Sequence, residues 1–216
     1  MKSNIYPKTY GRKRGKKNKY LINKYKQYVN EYLFKQAPSR KEIIIEIGSG
    51  NGENTINLSK LNSNKLIIAC EVYIDGNASL VSKLREEKIA NVRVFEKSCF
   101  FLLEKLKKNT IKEFWILYPD PWPKKRHYKR RLISDKFIEI LKYNLKNEGR
   151  IYIATDDNHY FMDILSKFHN SRLFSWENDR PNLWSKPFKK MAKTSFYIKA
   201  IENFKKSNFM IFIKKI

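Results

Sequence analysis

Short apolar runs alternate with longer segments of helical spacing along most of the chain. The first run, Ile43–Ile47, has the nearly continuous apolar character of a strand buried on both faces. Four more runs are predicted as strands: Leu66–Val72, Val92–Glu96, Phe114–Leu117 and Ile151–Ala154. Five segments between and after them are predicted as helices: Glu53–Leu61, Asn77–Glu87, Phe100–Leu106, Ser134–Leu145 and Tyr160–Phe168. This order predicts an α/β fold with a doubly wound sheet and crossover helices on both faces.

The N-terminal part of the chain departs from this alternation. Residues 1–30 hold ten Lys and Arg residues and no acid, a density of like charge that disfavours packing. Residues 1–37 are therefore predicted as a basic arm, with a possible helix over Asn18–Gln36. Because Pro38 ends that helix, residues 38–216 form the predicted folded domain.

The last fifty residues lack a clear helical period. Thr194–Ile201 and Phe209–Ile213 are rich in β-branched and aromatic residues and are predicted as strands around a basic loop. The expected fold class is therefore α/β, a doubly wound, Rossmann-like and mostly parallel sheet with an antiparallel C-terminal strand.

The chain carries a large excess of positive charge. Lys plus Arg number 46 and Asp plus Glu number 21, so the formal net charge is +25. This excess predicts a polyanionic partner, either nucleic acid or an anionic membrane surface. A compositional bias toward Lys is an alternative source of part of the charge. The basic residues are also clustered, however, as in Gly11–Lys17.

The remaining composition narrows the class of protein. Cys70 and Cys99 are too few for a disulfide framework or a zinc cluster and lie in or near apolar runs, so buried free thiols and no metal site are expected. No segment approaches the roughly 20 apolar residues that cross a bilayer. No apolar stretch follows the basic N-terminus as in a secretory signal. A soluble, cytoplasmic protein, monomeric or homodimeric, is expected.

The first predicted strand ends in a glycine-rich turn. Gly48, Gly50 and Gly52 stand at alternate positions, where they let the backbone approach a ligand closely, although any tight strand-to-helix turn favours glycine. The spacing fits neither the nucleoside triphosphate loop nor the GxGxxG dinucleotide motif, since Glu53 stands at its third glycine. Glu71, at the end of the second strand, is placed to accept hydrogen bonds from the ribose hydroxyls of an adenosine cofactor. This pair favours S-adenosylmethionine over NAD.

The fourth predicted strand ends in Tyr118-Pro119-Asp120-Pro121-Trp122-Pro123. Three prolines in five positions fix the backbone, so Asp120 is presented in a set direction with Trp122 beside it. A rigid structural turn is the alternative interpretation. It is disfavoured by the next eight residues, Lys124–Arg131, which hold six Lys and Arg residues and no acid. Such a run is typical of a surface that contacts phosphates.

Two carboxylates, Asp156 and Asp157, follow the fifth predicted strand. Ligands of open α/β sheets bind outside the carboxyl ends of the strands, so Asp156 is a second candidate for a site with Asp120. Asp157 directly precedes the helix predicted through Tyr160 and is interpreted as its N-cap.

Taken together, these motifs resemble the bacterial tRNA (guanine-N7)-methyltransferase family. The resemblance covers about residue 40 to the C-terminus, and Gly11–Lys17 is similar to the family's basic N-terminal segment. The glycine turn is shared by many methyltransferases, whereas the Pro-Asp-Pro-Trp run with its Arg-His-x-Lys-Arg-Arg continuation is highly specific. The resemblance implies an S-adenosylmethionine-dependent methyltransferase fold over residues 38–216. It also implies methyl transfer to N7 of the guanine at tRNA position 46, in the variable loop, giving 7-methylguanosine.

The resemblance implies roles for individual residues as well. Contacts to the cofactor are implied for Glu46, Gly48, Gly50, Gly52, Glu71, Ser98 and Asp120. Asp120 is also the implied catalytic residue. Substrate contacts are implied for Lys124, Asp156, Thr194, Phe196 and Tyr197, and tRNA contacts for Arg126, His127, Lys129, Arg130 and Arg131. Two positions depart from the family pattern, because Ser98 stands where the family has Asp or Asn, and Tyr197 where it has Glu.

Three alternatives remain open on the sequence alone. A noncatalytic RNA-binding module on a decayed methyltransferase fold is disfavoured by the intact glycine turn, Glu71 and Asp120. An NAD-dependent oxidoreductase is disfavoured by Glu53. Methylation of an exocyclic amine is the nearest chemical rival, because its Asp-Pro-Pro-aromatic loop is partly imitated by Asp120-Pro121-Trp122.

Overall fold

The computed structural model describes residues 19–38 and 41–215, so the predicted basic segment Gly11–Lys17 lies outside the described residues. The helices are α1 (Lys19–Tyr32), α2 (Glu53–Leu61), α3 (Ile74–Glu86), α4 (Cys99–Lys105), α5 (Asp135–Asn144), α6 (Asn158–Ser171), α7 (Pro181–Trp184) and α8 (Ser195–Glu202). The strands are β1 (Ile43–Ile47), β2 (Leu66–Cys70), β3 (Val92–Phe95), β4 (Ile111–Leu117), β5 (Leu145–Thr155), β6 (Phe174–Trp176) and β7 (Asn208–Lys214). A 3-10 helix spans Lys125–Arg130. The predicted alternation of strand and helix is confirmed from β1 to α6.

The strands have the order β3-β2-β1-β4-β5-β7-β6. Neighbours β1 and β2, β2 and β3, and β4 and β5 are parallel, whereas β7 runs antiparallel to both β5 and β6. The predicted α/β class, with a mostly parallel sheet and an antiparallel C-terminal strand, is confirmed. The chain divides into two compact units. The amino-terminal unit contains the described residues up to Leu106 together with Lys190–Thr194, and the carboxyl-terminal unit contains Lys107–Lys189 and the residues from Ser195.

The amino-terminal unit is built on the buried strands β1 and β2. Every residue of both strands is buried, including Ile44 and Ile67, which pair with each other in the parallel register. Near-continuous apolar sequence is what a strand covered on both faces requires. Because β1, β2 and β3 are parallel neighbours, their carboxyl ends lie side by side at one edge of the sheet. A loop or the start of a helix follows each of these ends.

Helix α1 belongs to this amino-terminal unit and packs against α3. Its buried Tyr25 donates a hydrogen bond from its hydroxyl to Glu96, just after β3. The sequence predicts the helix as far as Gln36, but it ends before Leu33. The chain becomes extended there because Leu33 forms a parallel bridge with Val94 of β3.

The carboxyl-terminal unit has an aromatic core. Trp115 of β4 is fully buried and stacks on Tyr152 of β5, with ring centroids 4.1 Å apart. Phe168 of α6 stacks on Phe212 of β7 at 3.8 Å. Large aromatic side chains bury 150–250 Å² each and dominate the stability of such cores. This packing fixes the ends of β4 and β5, from which Asp120 and Asp156 follow.

One prediction about this unit is wrong. Thr194–Ile201 is not a strand, because residues Ser195–Glu202 form helix α8. Strand β7 already has β5 on one side and the short β6 on the other, so both of its edges are paired. Strand propensity depends on the surrounding packing, so it does not by itself place a further strand beside β7. Strand β6 itself was not predicted, because its three residues are too few for a period.

The predicted state of the cysteines is confirmed. Cys70 and Cys99 are both free thiols and are buried. Among residues 19–38 and 41–215, no helix combines the length and apolar character needed to cross a bilayer. Over the same ranges, His, Cys, Asp and Glu side chains form no group of three or more that could hold a metal ion.

Candidate active site

The turn after β1 is a left-handed glycine turn beside open space. Gly48 and Gly50 have φ angles of +76° and +53°, which residues with a side chain rarely adopt. A Cβ atom at either position would meet nothing within 4 Å. The backbone conformation therefore selects glycine, and the space beside the turn is free for a ligand. Gly52 shares this conformation with a φ angle of +80°, and a Cβ atom there would in addition lie 2.5 Å from the side chain of Leu80.

Glu71 holds the glycine turn in place. Its Oε2 accepts a hydrogen bond of 3.0 Å from Gly50 N, and its Oε1 accepts one of 2.8 Å from Tyr73 N. A carboxylate has about four acceptor sites, so the half-buried Glu71 keeps capacity for hydroxyl donors. Gly76 of α3 was missed by the sequence analysis. A Cβ atom there would lie 2.5 Å from Gly50 O, so this glycine lets α3 approach the turn. A glycine inside a helical pattern was the available signal.

Glu46 lies inside the amino-terminal unit, beneath the turn. It is 2 % exposed and accepts hydrogen bonds from Thr55 Oγ1 and, at 3.1 Å, from Asn54 Nδ2. Burial raises the pKa of Glu46 to about 7, and the hydrogen bonds from Thr55 and Asn54 oppose that rise. Asn54 Oδ1 also accepts from Ala192 N at 3.1 Å, so Asn54 joins Glu46 to the Lys190–Thr194 segment. The sequence analysis singled out neither Asn54 nor Thr55.

Buried polar atoms without partners follow all three parallel strands of this unit. In the described chain they are Ser49 Oγ after β1, Asp75 Oδ1 and Asn77 Oδ1 in α3, and Ser98 Oγ before α4. A buried polar group without a hydrogen bond costs about 1–3 kcal/mol, so such groups call for a ligand or solvent partner. These atoms and the open space at the glycine turn fit an adenosine cofactor rich in polar atoms.

The proline loop after β4 has a strained backbone on both sides of Asp120. Tyr118 and Trp122 adopt φ angles of +54° and +45°, in the region that bulky side chains rarely enter. Tyr118 N donates a 2.7 Å hydrogen bond to Ala154 O of β5, which anchors the start of the loop. The Asp120 side chain is exposed. Strain of this kind concentrates at functional sites, and here it presents one carboxylate to solvent in a fixed direction.

The 3-10 helix after the loop separates into an outer and an inner set of side chains. The exposed predicted cations here are Lys124, Arg126 and Lys129. His127 packs edge-on against Trp122 at 5.8 Å, and the Arg130 guanidinium lies 5.0 Å from the centroid of the same ring. Desolvation, and then the cations Arg130 and Arg126, lower the pKa of His127. Its imidazole is therefore neutral at physiological pH.

Arg131 is buried, whereas the other predicted tRNA-binding residues are exposed (Arg126 and Lys129) or half-buried (His127 and Arg130). It is 3 % exposed, its Nε donates to Pro121 O at 2.8 Å, and its Nη1 donates to Asp163 Oδ2 at 2.9 Å. The guanidinium lies over the rings of Tyr128 and Tyr160, at 3.8 and 4.7 Å. Arg131 thus ties the proline loop to α6. The role of Asp163 is not predictable from the sequence, because no local pattern relates two residues on different elements.

The two carboxylates after β5 have different surroundings. Asp157 is confirmed as the N-cap of α6, because its Oδ1 accepts a 2.7 Å hydrogen bond from Tyr160 N. Asp156 Oδ2 instead accepts from Lys205 Nζ at 3.0 Å. Asp157 is occupied as a helix cap. Of the two carboxylates, Asp156 is therefore the one that can accept a hydrogen bond from a ligand, in place of the bond from Lys205.

Comparison with known proteins decides the family. A family model described as "Putative methyltransferase" matches residues 40–211. The tRNA (guanine-N(7)-)-methyltransferase of Wolbachia pipientis wMel is 31% identical over 190 residues, which are 88% of this chain and 83% of that protein. The chain belongs to the tRNA (guanine-N7)-methyltransferase family. The resemblance found in the glycine turn and the proline loop is thereby confirmed.

Other members of this wider group are larger, and the fold is shared more widely still. The bifunctional methyltransferase of Rickettsia felis is 33% identical over 175 residues, 80% of this chain but 33% of that protein. The chain thus spans about a third of the length of these relatives. A solved structure described as "a putative methyltransferase" from Streptococcus mutans, in complex with S-adenosylhomocysteine, matches with a TM-score of 0.51 at 14% identity. The match covers 90% of this chain and 97% of that chain. At that identity the likeness concerns the fold alone.

The predicted substrate residues Thr194, Phe196 and Tyr197 are divided between the two units. Thr194 is buried in the amino-terminal unit, where its N–H donates to Ala192 O at 2.9 Å. In the carboxyl-terminal unit, Phe196 stacks on Tyr118 with ring centroids 6.4 Å apart. Tyr197 packs edge-on against Phe209 at 5.8 Å.

Proposed function

We propose that this chain transfers the methyl group of S-adenosylmethionine to N7 of the guanine at position 46 of tRNA, in the variable loop. In this proposal residues 38–216 carry the activity and residues 1–37 supply a basic arm for tRNA, of which the helix α1 packs against α3 of the amino-terminal unit. The observation that carries it is the exposed Asp120, held between two strained residues of a proline loop that leads directly into a cationic 3-10 helix. Family membership supports the class of reaction.

The amino-terminal unit supplies the residues that would hold the cofactor. Gly48 and Gly50 leave room beside the backbone, Glu71 has acceptor capacity for the ribose hydroxyls, and Ser49 and Ser98 have buried hydroxyls without partners. When bound, S-adenosylmethionine would supply an electrophilic methyl group on a sulfonium centre. Ser98, in place of the Asp or Asn implied by the resemblance, would leave the adenine contact to a neutral hydroxyl.

The chemistry of guanine N7 suits the side chains of the carboxyl-terminal unit. N7 has a lone pair in the ring plane, so it needs no general base of raised pKa. Positive charge develops on the guanine as the bond to the methyl carbon forms. Asp120 and Asp156 would accept hydrogen bonds from the guanine N1–H and amino group and stabilise that charge. The remaining acceleration would come from positioning by the rigid loop.

Methylation at C5 of cytosine is disfavoured by the state of the cysteines of this chain. Methylation at C5 of cytosine uses a cysteine nucleophile, whose thiolate is the reactive form. Burial raises the pKa of Cys99 to about 12 and that of Cys70 well above its usual value. Both cysteines also lie in the amino-terminal unit, apart in sequence from the proline loop. Methylation of an exocyclic amine remains the chemical rival that only product analysis separates.

The test is methyl transfer to bulk tRNA from a strain that lacks this modification, followed by analysis of the nucleosides. The proposal predicts 7-methylguanosine as the one new methylated nucleoside. A nucleoside methylated at an exocyclic amine would contradict the proposed reaction. So would the absence of any methylated product from a protein that binds S-adenosylmethionine. A catalytically impaired control is Asp120→Ala, whose protein should still bind tRNA.

A further inference from the structure

The turn after α8 presents an aromatic ring to solvent in an unfavourable backbone conformation. Phe204 is 96 % exposed and has a φ angle of +54°. Its N–H donates to Ile201 O at 2.9 Å, and Lys205 N donates to Ala200 O at 2.9 Å, so the conformation is fixed by two backbone hydrogen bonds. Glycine or asparagine usually occupies the left-handed position that ends a helix. Folding therefore favours a different residue at position 204.

This turn is tied to the two strand ends that carry the predicted substrate acids. Lys205 pairs with Asp156 after β5 at 3.0 Å. Two residues later, Ser207 Oγ accepts a 3.0 Å hydrogen bond from the hydroxyl of Tyr118, which precedes the Asp120 loop. The position of Phe204 is thus coupled to both acids within the carboxyl-terminal unit.

The surroundings of Phe204 suit a nucleic acid. Lys199, Lys205 and Lys206 lie within seven positions of one another, with Glu202 as the acid among them. Phe196 adds a second ring that is 52 % exposed, and the Lys199 ammonium lies 5.9 Å from its centroid. Exposed rings with interspersed cations are how proteins hold unpaired nucleotides, since bases stack on the rings while phosphates contact the cations.

We propose that Phe204 is a stacking platform for an unpaired tRNA base next to the target guanine, and that Lys206 binds a phosphate of the same strand. The proposal rests on the proposed function and extends it to the contact that positions the substrate. The proposal explains why an aromatic side chain stands at this position. The strained backbone at φ +54° holds the ring in solvent, where a base can stack on it.

Four variants test the proposal through direct measurement of tRNA affinity at several salt concentrations. Phe204→Ala should weaken tRNA binding about 5- to 150-fold, the range of base stacking on an aromatic side chain, without changing the salt slope. Phe204→Trp should keep the affinity. Lys206→Ala should reduce the slope of log affinity against log salt by about 0.7, the value for one single-strand phosphate. Met162→Ala, at another strongly exposed apolar position, is the matched control and should bind as the unaltered protein.

A fifth variant separates this role from folding. Phe204→Gly should raise the melting temperature, because glycine relieves the positive φ, while weakening tRNA binding as much as Phe204→Ala. Unchanged tRNA affinity in both variants would overturn the proposal. A changed oligomeric state with unchanged tRNA affinity would assign the ring to a protein contact instead and would also overturn it. If the unaltered protein fails to bind tRNA, the proposed function itself is wrong.

Discussion

At the scale of single residues, the carboxylates of this protein differ through their surroundings. Glu46 is buried under hydrogen bonds from Thr55 and Asn54, Asp156 is paired with Lys205, and Asp120 is exposed. A carboxylate that is to meet a substrate must be accessible and fixed in direction. Asp120 satisfies both conditions, because strained residues on either side hold its loop.

Asp120→Ala should lower the rate of methyl transfer by a factor on the order of 10² to 10³, as for the loss of one preorganised electrostatic group. The affinity for tRNA should remain nearly unchanged, because phosphate contacts carry most of it. Single-turnover methylation with saturating tRNA and cofactor measures this rate. Asp120→Asn keeps the shape and removes the charge. An Asp120→Ala protein that keeps most of its rate, beside an inactive Asp156→Ala protein, would move the catalytic centre to the end of β5.

Glu46 should make the protein less stable as the pH rises. Its pKa of about 7 in the folded protein exceeds the ordinary value of 4.5, so the folded state binds the proton more tightly than the unfolded state. The contribution of Glu46 to the free energy of unfolding is therefore fully present below about pH 4.5. It decreases by roughly 3 kcal/mol in total as the pH rises from 4.5 to about 7. Denaturant unfolding of the unaltered protein and of Glu46→Gln across this range measures the difference. If the difference in unfolding free energy between the two proteins does not vary with pH, Glu46 keeps its ordinary pKa in the folded protein and is ionised there at neutral pH.

At the scale of elements, the proline loop depends on a partner that is distant in sequence. Arg131 connects Pro121 O to Asp163 of α6, and Asp163 also pairs with Lys167. A planar guanidinium can make both contacts at once, whereas an ammonium on a flexible stem cannot hold the same geometry. The orientation of Asp120 is thus set from α6 through Arg131.

Arg131→Lys should lower kcat about 10- to 100-fold, because displacement of a reacting geometry by 1 Å costs about 10²-fold. The KM for tRNA should change less than about twofold, since Arg131 is buried. Steady-state kinetics of this variant, beside those of Arg126→Lys at an exposed position, separates the two effects. A raised KM with an unchanged kcat would identify Arg131 as a phosphate contact.

The elements show what the sequence alone predicts well and where it fails. Strands such as β1 and β2 are predicted because their burial requires continuous apolar residues. The strand propensity of Ser195–Glu202 predicts a strand, but these residues form helix α8, because tertiary packing that the local sequence does not show overrides propensity. The glycine turn and Asp120 are evident locally. The contacts of Arg131 with Asp163, and of Asn54 with Glu46, depend on tertiary packing and carry no local signal.

At the scale of the whole molecule, the net charge of +25 should appear as strong salt dependence of tRNA binding. Each duplex phosphate neutralised contributes about 0.9 to the slope of log affinity against log salt. The double variant Arg126→Ala and Lys129→Ala should lower the slope by about 1.8. The matched double variant Lys107→Ala and Lys108→Ala removes two exposed cations that precede β4, whereas the 3-10 helix follows the carboxyl end of β4. This variant should leave the slope unchanged. Equal effects of the two double variants would mean that the charge acts as a diffuse field.

The central claim is that this chain methylates N7 of one guanine in tRNA. The most direct measurement compares an unmodified tRNA transcript with the same transcript carrying 7-deazaguanine at position 46, in which carbon replaces the N7 atom. The account predicts close to one methyl group per tRNA for the first transcript, recovered as 7-methylguanosine, and none for the second. Equal methylation of both transcripts would contradict it, because the methyl group would then be going to another atom or another nucleotide.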